Sequence, residues 1–211
     1  MKGAIDRIQI QGFKSIRHAD IRLNPLNVLI GPNGVGKSNF IGLFKLINNV
    51  IERRLQVYVG TTGGANGILH FGRKKTPSMR VEFTFSDAIN GYICQLMGTD
   101  EDLLFFADES TWFHDQRNCD KPYTSGLGSG HKETRLLNAN GNPDRGIAGY
   151  VVTAMQSWRI YHFHDTSPEA KVKQACELHD NRALKGDASN LAAFLYFLRA
   201  RHPAHYRNIV D

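Results

Sequence analysis

The chain has 211 residues, of which 41% are apolar, 10% aromatic and 22% charged. That composition excludes wholesale disorder and allows one real core with at most an appended lobe. The net charge of +6 favours anionic partners, nucleotide or nucleic acid, over cationic ones. Three cysteines, Cys94, Cys119 and Cys176, are odd in number and lack a CxxC spacing. They exclude a disulfide framework and fit reduced thiols in a cytoplasmic protein. The N-terminus has no apolar signal core, and no run approaches a membrane span.

In chain order, "IDRIQIQGF" alternates Ile5, Ile8 and Ile10 with polar residues, and "SIRHADIRL" alternates through Ile16, Ala19, Ile21 and Leu23. The pair predicts an antiparallel hairpin turning at "GFK". "NPLNVLI" supplies a continuous apolar run, Leu26 to Ile30, which predicts a strand buried on both faces. After Gly36 the period becomes helical: Phe40, Leu43, Phe44, Ile47, Val50, Ile51 and Leu55. A helix from about Lys37 to about Gln56 follows.

"GTTGGANGILHFGRKKTPS" reads as a mobile surface loop. "RVEFTF", "YICQLMG" and "DLLFFADESTWFHD" read as antiparallel strands between turn signals, and "NCDKPYTSGLGSGHKETR" as loop. Ile147 to Trp158 reads as helix and "RIYHFHD" as strand. A helix is expected from Ser167 to Leu178 with Pro168 in its first turn. Another is expected over "DASNLAAFLYFLRARH", capped by Asp187 or Ser189. "PAHYRNIVD" reads as the opening of a further helix. The organisation expected is a single, partial α/β domain. It comprises a hairpin, a strand and a helix over 1–58, a loop-rich antiparallel insertion over 59–146 and a mainly helical part over 147–211.

The chemistry is concentrated in Gly31-Pro32-Asn33-Gly34-Val35-Gly36-Lys37-Ser38, which satisfies the GxxxxGK[ST] pattern between a predicted strand and a predicted helix. Glycines allow successive N–H groups to turn inward around phosphates, and the helix N-terminus adds partial positive charge there. Lys37 can reach the outer phosphates and the Ser38 hydroxyl can ligate Mg²⁺. The alternative is a glycine-rich turn that matches by coincidence.

"GFKSIRHADIRLNPLNVLIGPNGVGKSNFIGLF" resembles the N-terminal head segment of the RecF, SMC and OLD-like ATPases, a branch of the ABC-type P-loop ATPases. A hairpin carrying "FKS", a loop of the form GPNGxGKSN with Asn39 after Ser38, and a following antiparallel insertion carry the resemblance. Later segments resemble bacterial ATPases of the same branch, some of them in DNA repair or anti-phage systems. The resemblance implies ATP and Mg²⁺ held between two heads in a sandwich dimer. Lys14 and Ser15 match positions near the nucleotide, and Gln156 stands where a Q-loop glutamine belongs. DNA or a nuclease is the further partner it implies.

Hydrolysis in that family also uses a Walker B strand ending Asp-Glu and an LSGGQ-like signature. "LLFFADES" offers Asp108 and Glu109 after four apolar residues, but among antiparallel strand patterns. "TSGLGSG" follows it and lacks a helix. The chain therefore reads as an ATP-binding segment of a longer ATPase. A nucleotide-sensing or partner-docking module without turnover is one alternative, and a compact P-loop kinase or GTPase another. His162, His164 and Asp165 form an H-x-H-D run that could bind metal, and Cys176 and His179 could add ligands if a helix brought them close. "GRKK" (Arg73, Lys74, Lys75) and the segment with Arg199, Arg201 and Arg207 are basic without interleaved aromatics, which fits solvated faces.

Overall fold

Alternation at Ile8 and Ile10 is realised in a computed structural model as a strand with one buried face. The structure describes residues 4–137, 146–161, 167 and 169–210. β1 (Ile5–Phe13) and β2 (Ile16–Arg22) form the expected hairpin, with Ile10 opposite Ala19 and Phe13 opposite Ile16. β3 (Ser78–Phe85), β4 (Asn90–Gly98), β5 (Leu104–Phe113) and β6 (Tyr123–Gly128) complete a six-stranded sheet. Its order is β2-β1-β3-β4-β5-β6, and every pairing is antiparallel. β6 lies in a stretch expected to be loop. Its "YTSGLG" is mostly exposed and glycine-containing, so it carries no apolar alternation or strong β-propensity; pairing with β5 makes it a strand.

α1 (Lys37–Ile51) lays Leu43, Leu46, Ile47 and Val50 into the core with Ile8, Ile10 and Phe83. α4 (Ile147–Gln156), found where helix was expected, adds Val151, Val152 and Met155. Phe44, Phe83 and Trp158 meet as an aromatic cluster, with Phe44–Trp158 centroids 5.3 Å apart. A core of this kind supplies most of the folding free energy, since each fully buried large apolar side chain contributes about 1.5–3 kcal/mol.

The first helix is shorter than its apolar stripe. It stops at Ile51, Arg53 takes a positive φ of 54°, and α2 (Leu55–Thr61) begins afresh. The new start is fixed from far away: the N–H groups of Leu55 and Gln56 donate to the Glu133 carboxylate at 2.9 and 3.1 Å. Local periodicity cannot show such a cap. α3 (Gly64–Ile68) follows, with Val59, Ala65, Ile68 and Leu69 buried. The first part of the expected surface loop is therefore packed helix, and the rest stays loop.

The predicted strand at Leu26–Ile30 is not formed. Leu26 is 81% and Ile30 90% exposed, and Val28 and Leu29 also face solvent. A strand buried on both faces lies inside a sheet, paired with neighbouring strands and covered above and below. No strand among the described residues pairs with this segment, which is held locally by hydrogen bonds between Asn24 and Asn27.

The chain divides into two units, 1–158 and 159–211. In the second, the helix expected from Ser167 to Leu178 is replaced by a 3-10 turn at Lys171–Lys173 and bends. α5 (Leu191–Arg201) and α6 (Pro203–Val210) are present. α5 starts after Asn190, not after Asp187 or Ser189. The Asn190 side chain instead ties the preceding loop, accepting from Lys185 N–H and donating to the Asp180 and Ala183 carbonyls. Arg159, Ile160 and Tyr161 are not in a strand, and His162, His164, Asp165 and Pro168 lie outside the described residues.

Candidate nucleotide-binding site

Residues 31–36 turn sharply because three glycines sit at positive φ: Gly31 at 159°, Gly34 at 85° and Gly36 at 105°. Gly36 is held there on a second count. A Cβ at this position would stand 3.0 Å from Ser15 Oγ, while one at Gly34 would meet nothing within 4 Å. The loop thus presses against the hairpin at one point and opens to solvent at another. α1 begins at Lys37 with no side-chain cap and no acid in its first turn, so its leading N–H groups stay free for an anion.

Lys37 folds over this loop. Its ammonium donates to the carbonyls of Gly31 and Pro32 at 2.6 and 2.8 Å. No carboxylate pairs with it among the described residues. A phosphate arriving at the helix start offers the lysine a better, charged acceptor. The hydroxyl of Ser38 is exposed and makes no hydrogen bond among the described residues, which leaves it available to a cation. The donor set fits a Mg²⁺-bound triphosphate: backbone amides and an ammonium for the anion, a hydroxyl for the metal. Pro32, Asn33 and Val35 are exposed at the rim.

The β1–β2 turn is built against the same loop. Asn39 donates from Nδ2 to Ser15 Oγ at 2.7 Å. Lys14, in left-handed backbone at φ 47°, brings Nζ to the face of α1 at Gly42. Burial, and then the nearby Lys45, lower its pKa, so its charge sits where an anion would stabilise it. The turn is braced from behind: Lys14 N–H donates to the Ile68 carbonyl, and His70 Nδ1–H donates to the Lys14 carbonyl at 2.6 Å. The sequence offers no motif for this role of His70; the glycine-rich context of "LHFG" suggests only a loop.

Asp108 and Glu109 stand elsewhere. The register runs Gln11↔Arg80, Arg80↔Gln95, Gln95↔Asp108 across the sheet. Three strand spacings put Asp108 about 14 Å from the hairpin. Asp108 is exposed, whereas Glu109 is 0% exposed. Tyr92 Oη, Thr134 Oγ1 and the Arg135 N–H donate to Glu109, and His131 Nε2 lies 2.8 Å from Oε2. Glu109 is thereby the tie between β5 and the segment after β6. Gln156 is exposed at the end of α4. Cys176 and His179 lie on a loop of the second unit and share a pocket with Glu177 and Asp180. No group of three or more metal-ligating side chains forms among the described residues. No helix there is long and apolar enough to cross a membrane.

A glycine-rich loop opening a helix at Lys37-Ser38, with the lysine ammonium folded over it and paired with no carboxylate among the described residues, defines a P-loop nucleoside-triphosphate-binding protein. Residues 1–124 match the family described as the AAA ATPase domain, and the chain belongs to that family. It is therefore an ATP-binding P-loop module. No curated protein matches the chain.

Proposed function

We propose that this module is the nucleotide-binding part of a RecF/SMC/OLD-like ATPase head. In this reading, Gly31 to Ser38 cradle the phosphates, Lys37 neutralises the outer ones, and Ser38 ligates Mg²⁺. Asn39 and Ser15 hold the hairpin turn at the loop, so that Lys14 adds a second cation. The supporting observation is the coupling of the hairpin turn to the phosphate loop through Asn39 and Ser15, which an isolated glycine-rich turn would not need. ATP-dependent pairing with a second head, in DNA repair or defence, is the biological role that the resemblance suggests.

The experiment is calorimetric titration with Mg·ATP. Lys37→Ala is expected to lower the affinity at least tenfold, because a charge-assisted contact to phosphate is lost. Equal affinity for wild type and variant overturns the assignment of the loop.

A further inference from the structure

A pocket lies beside the β1–β2 hairpin. Gln11, Arg17, His18, His70, Phe71 and Lys75 line this pocket of about 620 Å³, closed on one side by Thr76 and Ser78. Among the described residues, its lining contains no aspartate or glutamate. Its lysine and arginine, Lys75 and Arg17, are exposed and have no ion pair among the described residues. Two unpaired cations at one concave site leave a local positive potential.

Phe71 gives the pocket its second property. The residue is 75% exposed, a costly position for a large apolar side chain. His70 packs edge-on against it at 4.4 Å, and the Lys75 ammonium lies 5.4 Å from its centroid. The backbone holds it there: Phe71 sits at φ 54°, between the His70 N–H bonded to Gly12 and Gly72 at φ 79°. Gly12 itself admits no side chain, since a Cβ would stand 2.6 Å from the Ser78 carbonyl oxygen. The pocket wall is thus a rigid backbone contact presenting an aromatic ring among cations. From sequence, "GRKK" has no interleaved aromatic; in the structure Phe71, two residues before Arg73, supplies one.

We propose that this pocket binds single-stranded nucleic acid, with an unpaired base stacked on Phe71 and flanking phosphates on Arg17 and Lys75. Base stacking on an aromatic ring, with cations following the backbone, is the common physics of single-strand binding. A duplex keeps its base faces stacked away, so it cannot use the ring. A phosphopeptide would call for several arginines on one phosphate, whereas the lining described holds one arginine, Arg17, and a lysine whose ammonium lies over the Phe71 ring. The inference does not rest on the phosphate loop, and its assay contains neither ATP nor Mg²⁺.

The test is fluorescence anisotropy of labelled oligo-dT, oligo-U and a mixed-sequence duplex with the full chain at low salt. Single strands are expected to bind more tightly than the duplex. Phe71→Ala is expected to weaken them about fivefold or more. Arg17→Ala and Lys75→Ala should each reduce the slope of log affinity against log salt by about 0.7. Arg117→Ala, in the β5–β6 connection at the far edge of the sheet, should change nothing. Ultraviolet cross-linking of the wild-type complex, read by peptide mass spectrometry, should mark the peptide carrying Phe71 and needs no variant. Duplex binding as tight as single-strand binding, affinity indifferent to Phe71 and Arg17, cross-links confined elsewhere, or no saturable binding each overturn the proposal. Equal competition by a phosphotyrosine peptide overturns it in favour of a phosphoprotein partner.

Discussion

Asn39 and Ser15, 24 positions apart, are joined by a hydrogen bond of 2.7 Å from the amide Nδ2 to the hydroxyl Oγ. The bond fixes the first turn of α1 to the β1–β2 turn, and through it the loop to Lys14. Asn39→Ala and Ser15→Ala should each weaken Mg·ATP binding roughly fivefold, about one net hydrogen bond. The double variant should be no worse than either single one, because both remove the same contact. Additive losses in a calorimetric double-mutant cycle would show that the two residues act separately on the nucleotide.

Much of this arrangement was legible in advance, and the failures have one physical cause. The hairpin, α1, the β3–β5 strands and the phosphate loop follow from local alternation, helical period and a motif whose glycines set the backbone. The exposed Leu26–Ile30 segment, the break before Leu55, the packed α2–α3 region and β6 depend on partners distant in sequence, or on their absence among the described residues. Glu133 capping α2 and β5 pairing with β6 leave no mark on the local pattern. The same holds for Glu109. After four apolar residues its spacing suggests a metal-site acid, and only the structure shows the side chain spent on Tyr92, His131, Thr134 and Arg135.

Glu109→Ala should therefore act on stability. It strands buried donors from Tyr92 and Thr134 and the Arg135 N–H, and such losses cost about 3 kcal/mol or more together. The urea midpoint should fall accordingly, while Glu109→Gln, of similar shape, should fall less. If Glu109→Gln instead leaves the midpoint untouched and abolishes turnover in an active form of the ATPase, Glu109 is a catalytic acid and its buried network is incidental.

Cys94 offers a test of the core by pH. Burial first, and the adjacent Glu109 carboxylate second, push its thiol up to about 12. In the folded chain it stays protonated where the unfolded thiol ionises, so the unfolded state binds fewer protons above about pH 9. Stability should fall as pH rises from there toward 12, with a slope of up to about 1.4 kcal/mol per pH unit from this group. Cys94→Ala should flatten that decline in urea titrations, in part only, because buried Tyr92 is also raised. A thiol reagent near neutral pH should label the exposed Cys119 and spare Cys94 until the chain is unfolded. Early labelling of Cys94 would mean that the sheet opens readily.

The final expectation concerns turnover. The phosphate loop grips ground-state phosphates about as well as those of the transition state, and uniform binding does not accelerate chemistry. Phosphoryl transfer is accelerated by a positioned water and by charge placed on the departing group. Here Lys37 bonds, among the described residues, to the carbonyls of Gly31 and Pro32, Asp108 stands across the sheet, and Glu109 is enclosed. Leu26 to Ile30, leading into the loop, has no flanking strand among the described residues to carry an acid beside it. The 211-residue chain should bind Mg·ATP, hydrolyse it negligibly and remain unpaired with a second copy when ATP is added. Phosphate release at saturating ATP, with Lys37→Ala as the blank for contaminating activity, checks the first part, and light scattering with and without ATP the second. Turnover near the lower range of ordinary enzymes, about 1 s⁻¹, and abolished by Lys37→Ala, would mean that the water-activating group lies within these residues. Asp108→Asn and Glu109→Gln would then be the first variants to assay, with unfolding midpoints measured alongside to separate lost chemistry from lost fold.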